Sequence, residues 1–135
     1  MIDPVIVDTD VMSYVFKDDT RAALYEPHLA GRDWIISFVT LAEMHRWAIA
    51  SNWGTAKRRK LEEYLSTVVV FHSDDELCHR WAVITDEGKR RGRQIQAADA
   101  WIAATAILHD VPLITHNRRD FDSISGLKVI SEAGG

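Results

Sequence analysis

The fold of this chain is decided by the stretch Gln94-Ile-Gln-Ala-Ala-Asp99-Ala-Trp-Ile-Ala-Ala-Thr-Ala-Ile-Leu-His109 and by Val111-Pro-Leu-Ile-Thr115, which follows it. The first part predicts a helix, because alanine is the strongest helix former and neither glycine nor proline interrupts it. Its apolar residues cover most of the circumference, which indicates burial on nearly every side. Asp99 lies in the first turn, and because an unpaired buried charge is costly, it must be paired, hydrogen-bonded, protonated or bound to a metal. A strand at 113–115 then leads to a polar turn with a second acid, Asp120.

Length and composition indicate one globular domain. The 135 residues are enough for a hydrophobic core, and a hydrophobic content of 47% argues against disorder, so we expect a single domain over 1–135. The one cysteine, Cys78, excludes an internal disulfide framework. No apolar run is long enough to span a membrane, and the N-terminal sequence does not resemble a signal peptide, so we expect a cytoplasmic protein.

Short β-branched segments alternate with helical segments along the chain. The predicted strands are 5–8, 34–38, 68–71, 113–115 and 128–130, and the predicted helices are 11–16, 21–29, 40–50, 55–65, about 73–89, and the helix that ends near His109. This alternation favours a parallel sheet with helices on both faces. We therefore expect an α/β fold, in three α/β/α layers around a short, mainly parallel central sheet of four to five strands.

Polar residues mark where these helices should begin and end. Asp10 is a natural N-cap for the helix at 11–16. Thr40-Leu-Ala-Glu43 and Ser73-Asp-Asp-Glu76 are capping-box patterns, in which the acid closes a hydrogen-bonded ring with the first residue of the motif. Gly88 and Gly92 are expected in the loop before the alanine-rich helix, and 131–135 is expected to fray.

Four acids should meet at one edge of the sheet, because sites in open α/β sheets form at the carboxyl ends of the strands. They are Asp8, Glu43, Asp99 and Asp120. Each has a structural explanation when taken alone: a turn after a strand, a capping box, the helix dipole, or the cap of a following turn. Together they repel one another unless a cation neutralises them. Oxygen ligands without a cysteine or histidine cluster suit Mg²⁺ or Mn²⁺, which act on phosphoryl groups, so the expected reaction is hydrolysis of a phosphodiester or a phosphate.

Two basic runs lie on a chain whose net charge is −4. Lys57-Arg-Arg-Lys60 and Lys89-Arg-Arg-Gly-Arg93 are either solvated helix faces or contacts for a phosphate backbone beside the acidic pocket. The six histidines show no compact ligand spacing, and the sequence contains no Walker, Rossmann or nucleophile-elbow motif. His116 lies in the expected site loop, where a solvent-facing role is favoured over contact with a phosphate.

With these residues placed, the sequence resembles the PIN domain and, within that family, the VapC-type ribonuclease toxins. Val7-Asp-Thr-Asp-Val-Met-Ser13 is similar to the family's opening motif, and Thr40-Leu-Ala-Glu-Met44 is similar to the motif that carries its glutamate. Asp99-Ala-Trp-Ile-Ala-Ala-Thr-Ala106 and Leu113-Ile-Thr-His-Asn-Arg-Arg-Asp-Phe121 are similar to the third and fourth motifs. The ordered set of four motifs carries the resemblance, which runs along nearly the whole chain.

The resemblance implies a metal-dependent endoribonuclease that cuts single-stranded or loop RNA with a metal-activated water and without a covalent enzyme intermediate. It implies that one acidic quartet both catalyses the reaction and holds Mg²⁺ or Mn²⁺: Asp8, Glu43, Asp99 and Asp120. Three further residues are implied to support that quartet: Asp10, which replaces the family's usual asparagine, Thr115 and Asn117.

The resemblance also implies three partners: an RNA substrate, a second copy of the chain, and a cognate antitoxin protein that covers the active-site groove. Of the two basic runs, the one that directly precedes Asp99 is the stronger candidate for holding RNA phosphates. Its members are Lys89, Arg90, Arg91 and Arg93.

Two other interpretations of the same residues remain open. Asp8-Thr-Asp10 after a first strand also fits a haloacid-dehalogenase-like phosphatase, with Asp8 as the nucleophile and Asp10 as the general acid. Against it, no lysine lies near the fourth acidic motif, and Glu43 has no role. The third possibility is a PIN-like module that binds RNA or a protein partner without cutting. A phosphoaspartate trapped on Asp8 would identify the phosphatase, and RNA bound but left intact in Mg²⁺ and Mn²⁺ would identify the module.

Overall fold

The computed structural model describes residues 1–133, and in these residues five parallel strands form one central sheet. The strands are β1 (Val5–Val7), β2 (Trp34–Ser37), β3 (Val69–Phe71), β4 (Leu113–Ile114) and β5 (Val129–Ile130), and their order across the sheet is β3-β2-β1-β4-β5. Strand β1 is central: Val5 pairs with Trp34 of β2, and Ile6 pairs with Leu113 of β4. All four pairings are parallel, which confirms the predicted sheet.

Helices fill the connections between these strands. Within residues 1–133 they are α1 (Thr9–Phe16), α2 (Ala22–Leu29), α3 (Phe38–Ala50), α4 (Thr55–Ser66), α5 (Asp75–Arg90) and α6 (Ala97–Leu108), with a 3₁₀ turn at Arg118–Asp120. None of these helices is long and apolar enough to cross a membrane. The predicted fraying at 131–135 falls partly outside the described residues, which end at 133.

Two hydrophobic cores lie on opposite faces of the sheet, because side chains alternate along a strand. Val5 and Val7 of β1 pack with α1, α2, α3 and α4, whereas Ile6 packs with α5 and α6. Most of α6 is buried, as its sequence predicts, with the run from Ile102 to Ala106 at most 1% exposed. The result is the expected three-layer α/β/α architecture.

The helix starts differ from the predicted caps, because strands β1 and β2 run almost directly into helices. Asp8, not Asp10, is the N-cap of α1 and accepts a hydrogen bond from the backbone N–H of Thr9. Helix α3 begins at Phe38 with Ser37 as its cap, so the capping box predicted at Thr40 and Glu43 is wrong. This shift matters for function, since it leaves the Glu43 carboxylate free for other contacts.

The start of α5 and the following loop also differ in detail from the prediction. Asp74 is the N-cap of α5 and accepts a hydrogen bond from the backbone N–H of Leu77. Gly88 is buried within α5 and not in the loop; a Cβ there would lie 2.7 Å from the Arg93 carbonyl oxygen. Glycine therefore allows the loop to fold back against α5. Gly92 lies in that loop, as expected, with a φ of 69°.

Candidate active site

Asp8 lies at the carboxyl end of the central strand and is only 6% exposed. Its Oδ1 accepts a hydrogen bond from the Thr9 backbone N–H at 2.8 Å, and its Oδ2 accepts one from Thr115 Oγ1 at 2.6 Å. The pKa of Asp8 is raised to about 8: burial is the largest cause, the charges of Asp10 and Asp99 add to the rise, and the hydrogen bonds from Thr115 and Thr9 oppose it. A fixed, buried carboxylate with a raised pKa is therefore held where strands β1 and β4 end.

Asp99 reaches the same edge from the first turn of α6 and is half-buried. Burial is the largest cause that raises its pKa to about 6, followed by the charges of Asp120, Glu43 and Asp10. Because charges raise one another's pKa only at short range, carboxylates from four separate segments act on a single region. Asp99 also raises the pKa of Asp8, so the charges of the four predicted acids influence one another at the carboxyl edge of the sheet.

Glu43 is joined to the Asp8 loop through a residue that the sequence analysis did not single out. Thr9 Oγ1 donates a hydrogen bond to Glu43 Oε1 at 2.8 Å and lies 3.0 Å from the hydroxyl of Thr40, which is fully buried. Thr9 is the central residue of Asp8-Thr-Asp10, so its place in that motif was the available signal. The hydrogen bond orients an otherwise exposed glutamate towards the end of β1.

Asp10 lies in the first turn of α1 and links that helix to the loop after β4. Its Oδ1 accepts from the Val11 backbone N–H at 2.6 Å, and its Oδ2 accepts from the His116 backbone N–H at 3.0 Å. Burial is the main cause that raises its pKa. Asp10 is therefore a partly buried carboxylate beside Asp8 that also anchors the site loop, an arrangement that suits the supporting role predicted for it.

The loop after β4 supplies the remaining predicted residues. Thr115 is fully buried, and besides donating to Asp8 it accepts a hydrogen bond from the Asn117 backbone N–H at 3.0 Å. The Asn117 contact is made by its backbone, while its side chain is exposed. Asp120 ends the 3₁₀ turn and does not cap a helix beyond Phe121. Its charge raises the pKa of both Asp10 and Asp99.

The four acids are not arranged around a single point. In the described part of the chain, no three histidine, cysteine, aspartate or glutamate side chains are arranged as ready ligands for a single metal ion. The acids thus form a cluster of mutually repelling carboxylates with a buried member, which is the charge distribution that a divalent cation would stabilise.

The basic run before α6 is only partly available for a ligand. Arg90 forms an ion pair with Asp86 at 2.9 Å, and Arg91 donates hydrogen bonds to the Ser123 carbonyl and the Ser125 hydroxyl. Lys89 borders a groove of about 670 Å³ along α5 and the start of α6, which also contains Trp81. The structure shows no contact between these cations and the four acids within residues 1–133, so their RNA-binding role stays a prediction.

Comparison with known proteins gives consistent results for the whole chain. The family model described as PIN domain matches residues 5–127. The chain is 28% identical to Ribonuclease VapC1 of Haemophilus influenzae (strain R2866) over 91% of this chain and 93% of that protein. It is 31% identical to Ribonuclease VapC1 of Methanocaldococcus jannaschii, over 93% of this chain and 85% of that protein.

A solved structure of VapBC-1 from nontypeable Haemophilus influenzae has the same fold. It superposes with a TM-score of 0.81 at 27% sequence identity, and the match covers 95% of this chain and 97% of that one. The acids at the carboxyl edge lie within the matched segment, 5–127. The chain therefore belongs to the PIN-domain family.

Proposed function

We propose that this protein is a Mg²⁺- or Mn²⁺-dependent endoribonuclease and the toxin of a toxin–antitoxin pair. The observation that carries the proposal is the Asp8 carboxylate, buried at the end of β1, hydrogen-bonded by Thr115 and surrounded by other carboxylates. Relatives over nearly the whole chain are named ribonuclease VapC, which identifies RNA as the substrate to test first.

The residues at this edge fit a hard divalent ion. Carboxylate oxygens are its preferred ligands, and Mg²⁺ usually keeps several waters while binding one or two carboxylates and the substrate phosphates. Asp8 and Asp99 would hold the ion, because burial and neighbouring carboxylates raise the pKa of both and a bound cation would relieve that repulsion. Glu43 and Asp120, which are exposed, would complete the site from its rim.

When bound, the ion would supply an activated water and neutralise charge at the phosphodiester. The protein's own residues provide position. Thr115 fixes the Asp8 carboxylate from one side, and the Thr9 backbone N–H fixes it from the other. Asp10 holds the loop that carries Thr115, and Thr9 orients Glu43. Each carboxylate is thus held before substrate arrives, which reduces the reorganisation required during reaction.

Replacing Thr115 with valine should lower kcat for RNA cleavage by about 10- to 100-fold, because the metal-binding carboxylate loses the hydrogen bond that orients it. Thr115→Ser keeps the hydroxyl and should retain most activity. Single-turnover cleavage rates, with circular dichroism to verify folding, measure both. Equal rates for the valine and serine variants would show that the hydroxyl does not position Asp8.

The proposed partners follow from the relatives. The similar solved structure is of VapBC-1, so we propose a cognate antitoxin as the partner of this chain. We also propose a homodimer, which is what the resemblance of the sequence to the family implies. A toxin that cuts cellular RNA acts in the cytoplasm, which is its proposed compartment. The toxin role is tested by expressing the protein in cells and measuring growth. The wild type should inhibit growth, and variants that lack the catalytic acids should not.

We also propose that the basic run before α6 binds the RNA backbone through Lys89 and Arg93, because Arg90 and Arg91 are engaged by protein groups. The double variant Lys89→Gln, Arg93→Gln should raise KM. It should also reduce the slope of log KM against log salt concentration by about 1.4, because each phosphate contact on a single strand contributes roughly 0.7. The measurement is KM at several salt concentrations. A slope equal to that of the wild type would remove both residues from the RNA path.

The function itself is tested by incubating the purified chain with end-labelled RNA. We expect internal cleavage in Mg²⁺ or Mn²⁺ and none in EDTA. Intact but bound RNA in both metals would contradict the proposal and support the binding module. A phosphoaspartate trapped on Asp8 would instead support the phosphatase.

A further inference from the structure

A cavity of about 420 Å³ borders the acidic site on the side of the loop after β4. Its wall includes Asp120, so the cavity and the acidic cluster share a residue. The rest of the lining is His116, Asn117, Arg118, Arg119, Asp122 and Ala133. Two arginines and further hydrogen-bond donors therefore lie beside Asp120, on a wall that also carries the carboxylate of Asp122.

The ring of His116 is held in a fixed orientation in this cavity. It packs edge-on against Tyr14 at 5.6 Å and against Tyr25 at 5.7 Å between ring centroids. Its Nδ1 lies 2.5 Å from Tyr25 Oη. This histidine is half-buried and built into the fold, so the solvent-facing role favoured from the sequence is wrong for most of the ring.

The hydrogen bonds around Tyr25 favour one tautomer of His116. The Tyr25 hydroxyl lies 2.5 Å from Nδ1 and 3.5 Å from the Thr115 carbonyl, so donation to Nδ1 is the shorter of its two possible hydrogen bonds. The Glu132 backbone N–H donates to the same hydroxyl oxygen at 3.1 Å. A neutral ring that accepts at Nδ1 carries its hydrogen on Nε2, which then acts as a donor.

That donor is open to a ligand. Among the described residues, every buried side-chain nitrogen or oxygen has a hydrogen-bond partner. Nε2 of His116 has no partner within 1–133, so it must be accessible to water. It is therefore an oriented and unused N–H group on the cavity wall.

The two arginines in the lining differ in whether their side chains are anchored to the protein. Arg118 donates to the Val129 carbonyl at 3.3 Å and is tied to β5. Arg119 is exposed and has no hydrogen-bond or ion-pair partner within residues 1–133. The side-chain amide of Asn117 is also exposed at the same wall. These donors match the oxygens of a phosphate, which guanidinium groups recognise well.

We propose that this cavity is a subsite for a phosphate next to the scissile one in the RNA backbone, bound by Arg119, Nε2–H of His116 and the amide of Asn117. The inference rests on the proposed function, because it needs an RNA strand whose cleaved phosphate lies at the acids. Tyr25 is a positioning residue that sets the tautomer of His116. Binding here fixes the register of the strand, since one phosphate in the cavity places its neighbour at Asp8 and Asp99.

The test uses a short RNA substrate in which one phosphate at a time is replaced by an uncharged methylphosphonate. With the wild-type protein, one position near the cleaved bond should raise KM about 10-fold when it is neutralised. Arg119→Gln should raise KM for the unmodified RNA by a similar factor, with kcat within about 2-fold, and should lower the salt slope by about 0.7. In this variant, the methylphosphonate at that position should have no further effect.

The matched control is Arg80→Gln, which removes the same charge from an exposed arginine on α5 that belongs to neither basic run. It should leave KM within about 2-fold of the wild type. In His116→Ala, as in Arg119→Gln, a methylphosphonate at that position should no longer raise KM. The inference is overturned if Arg80→Gln raises KM equally, if the two cavity variants respond at different positions, or if Arg119→Gln leaves KM unchanged. Wild-type protein that cuts no RNA would instead overturn the proposed function.

Discussion

Asp8→Asn should lower RNA cleavage by at least about 1,000-fold while making the metal-free protein more stable. The activity falls because the most buried carboxylate of the cluster loses the charge that would bind the ion, and charge stabilisation is commonly the largest single contribution to catalysis. The stability rises because the neutral amide removes repulsion with Asp10 and Asp99 and is easier to bury. A change that damages function and strengthens the fold is typical of a site assembled for a cation.

The two effects are measured by single-turnover cleavage in Mg²⁺ and by urea unfolding in EDTA. Asp110→Asn is a matched control, because Asp110 is exposed and forms an ion pair with Lys128 at the surface. That ion pair is worth little, so cleavage should be unchanged and stability should move by less than about 1 kcal/mol. Asp8→Asn protein that cuts RNA at the wild-type rate would show that Asp8 has no part in catalysis.

The second large effect is a loss of stability in the metal-free protein as pH rises from about 4 to about 8. The folded-state pKa of Asp8 is about 8, above its ordinary value of 3.8, so the folded state holds this proton more tightly than the unfolded state does. The stability contributed by that proton is fully present below pH 4 and is lost as pH rises through 8. Asp99, with a pKa of about 6, adds a further loss of stability, which is complete at a lower pH than that of Asp8.

Urea unfolding in EDTA at pH 5 and pH 8 tests this dependence. The difference in unfolding free energy between Asp8→Asn and the wild type should widen towards pH 8, by on the order of 3 kcal/mol. Mn²⁺ should reduce that difference, because the ion replaces the proton in the wild type. A difference that stays constant, or that is wider at pH 5, would mean that Asp8 is not a repelled, buried carboxylate.

Much of the fold could be predicted because the decisive signals are local. The alanine-rich run before His109 is apolar on all sides, which predicts a buried helix, and α6 is that helix. The β-branched run that ends at Asp8 predicts a buried strand, and β1 is central. Parallel pairing then places the ends of β1 and β4 side by side, so the proximity of Asp8 to Thr115 follows from the architecture.

The details of the site could not be predicted, since they depend on contacts between distant residues. The position of Glu43 follows from α3 beginning at Phe38, and the pattern at Thr40 favours a later start. The bond between Tyr25 and His116 joins residues 91 positions apart, and nothing in either local sequence indicates it. Arg91 looks like a free cation in the sequence but is bound to the segment around Ser123. The roles of the four acids remain predictions.

We infer that the fold places carboxylates from separate segments at one edge of the sheet to bind a divalent ion. Calorimetric titration with Mn²⁺ at pH 7 tests it most directly, on wild-type protein and on the Asp8→Asn, Asp99→Asn double variant. We expect wild-type protein to bind Mn²⁺ with release of a proton from the carboxylate cluster, and the double variant to lose that binding. Wild-type protein that binds no Mn²⁺, or a double variant that binds it equally well, would contradict the claim.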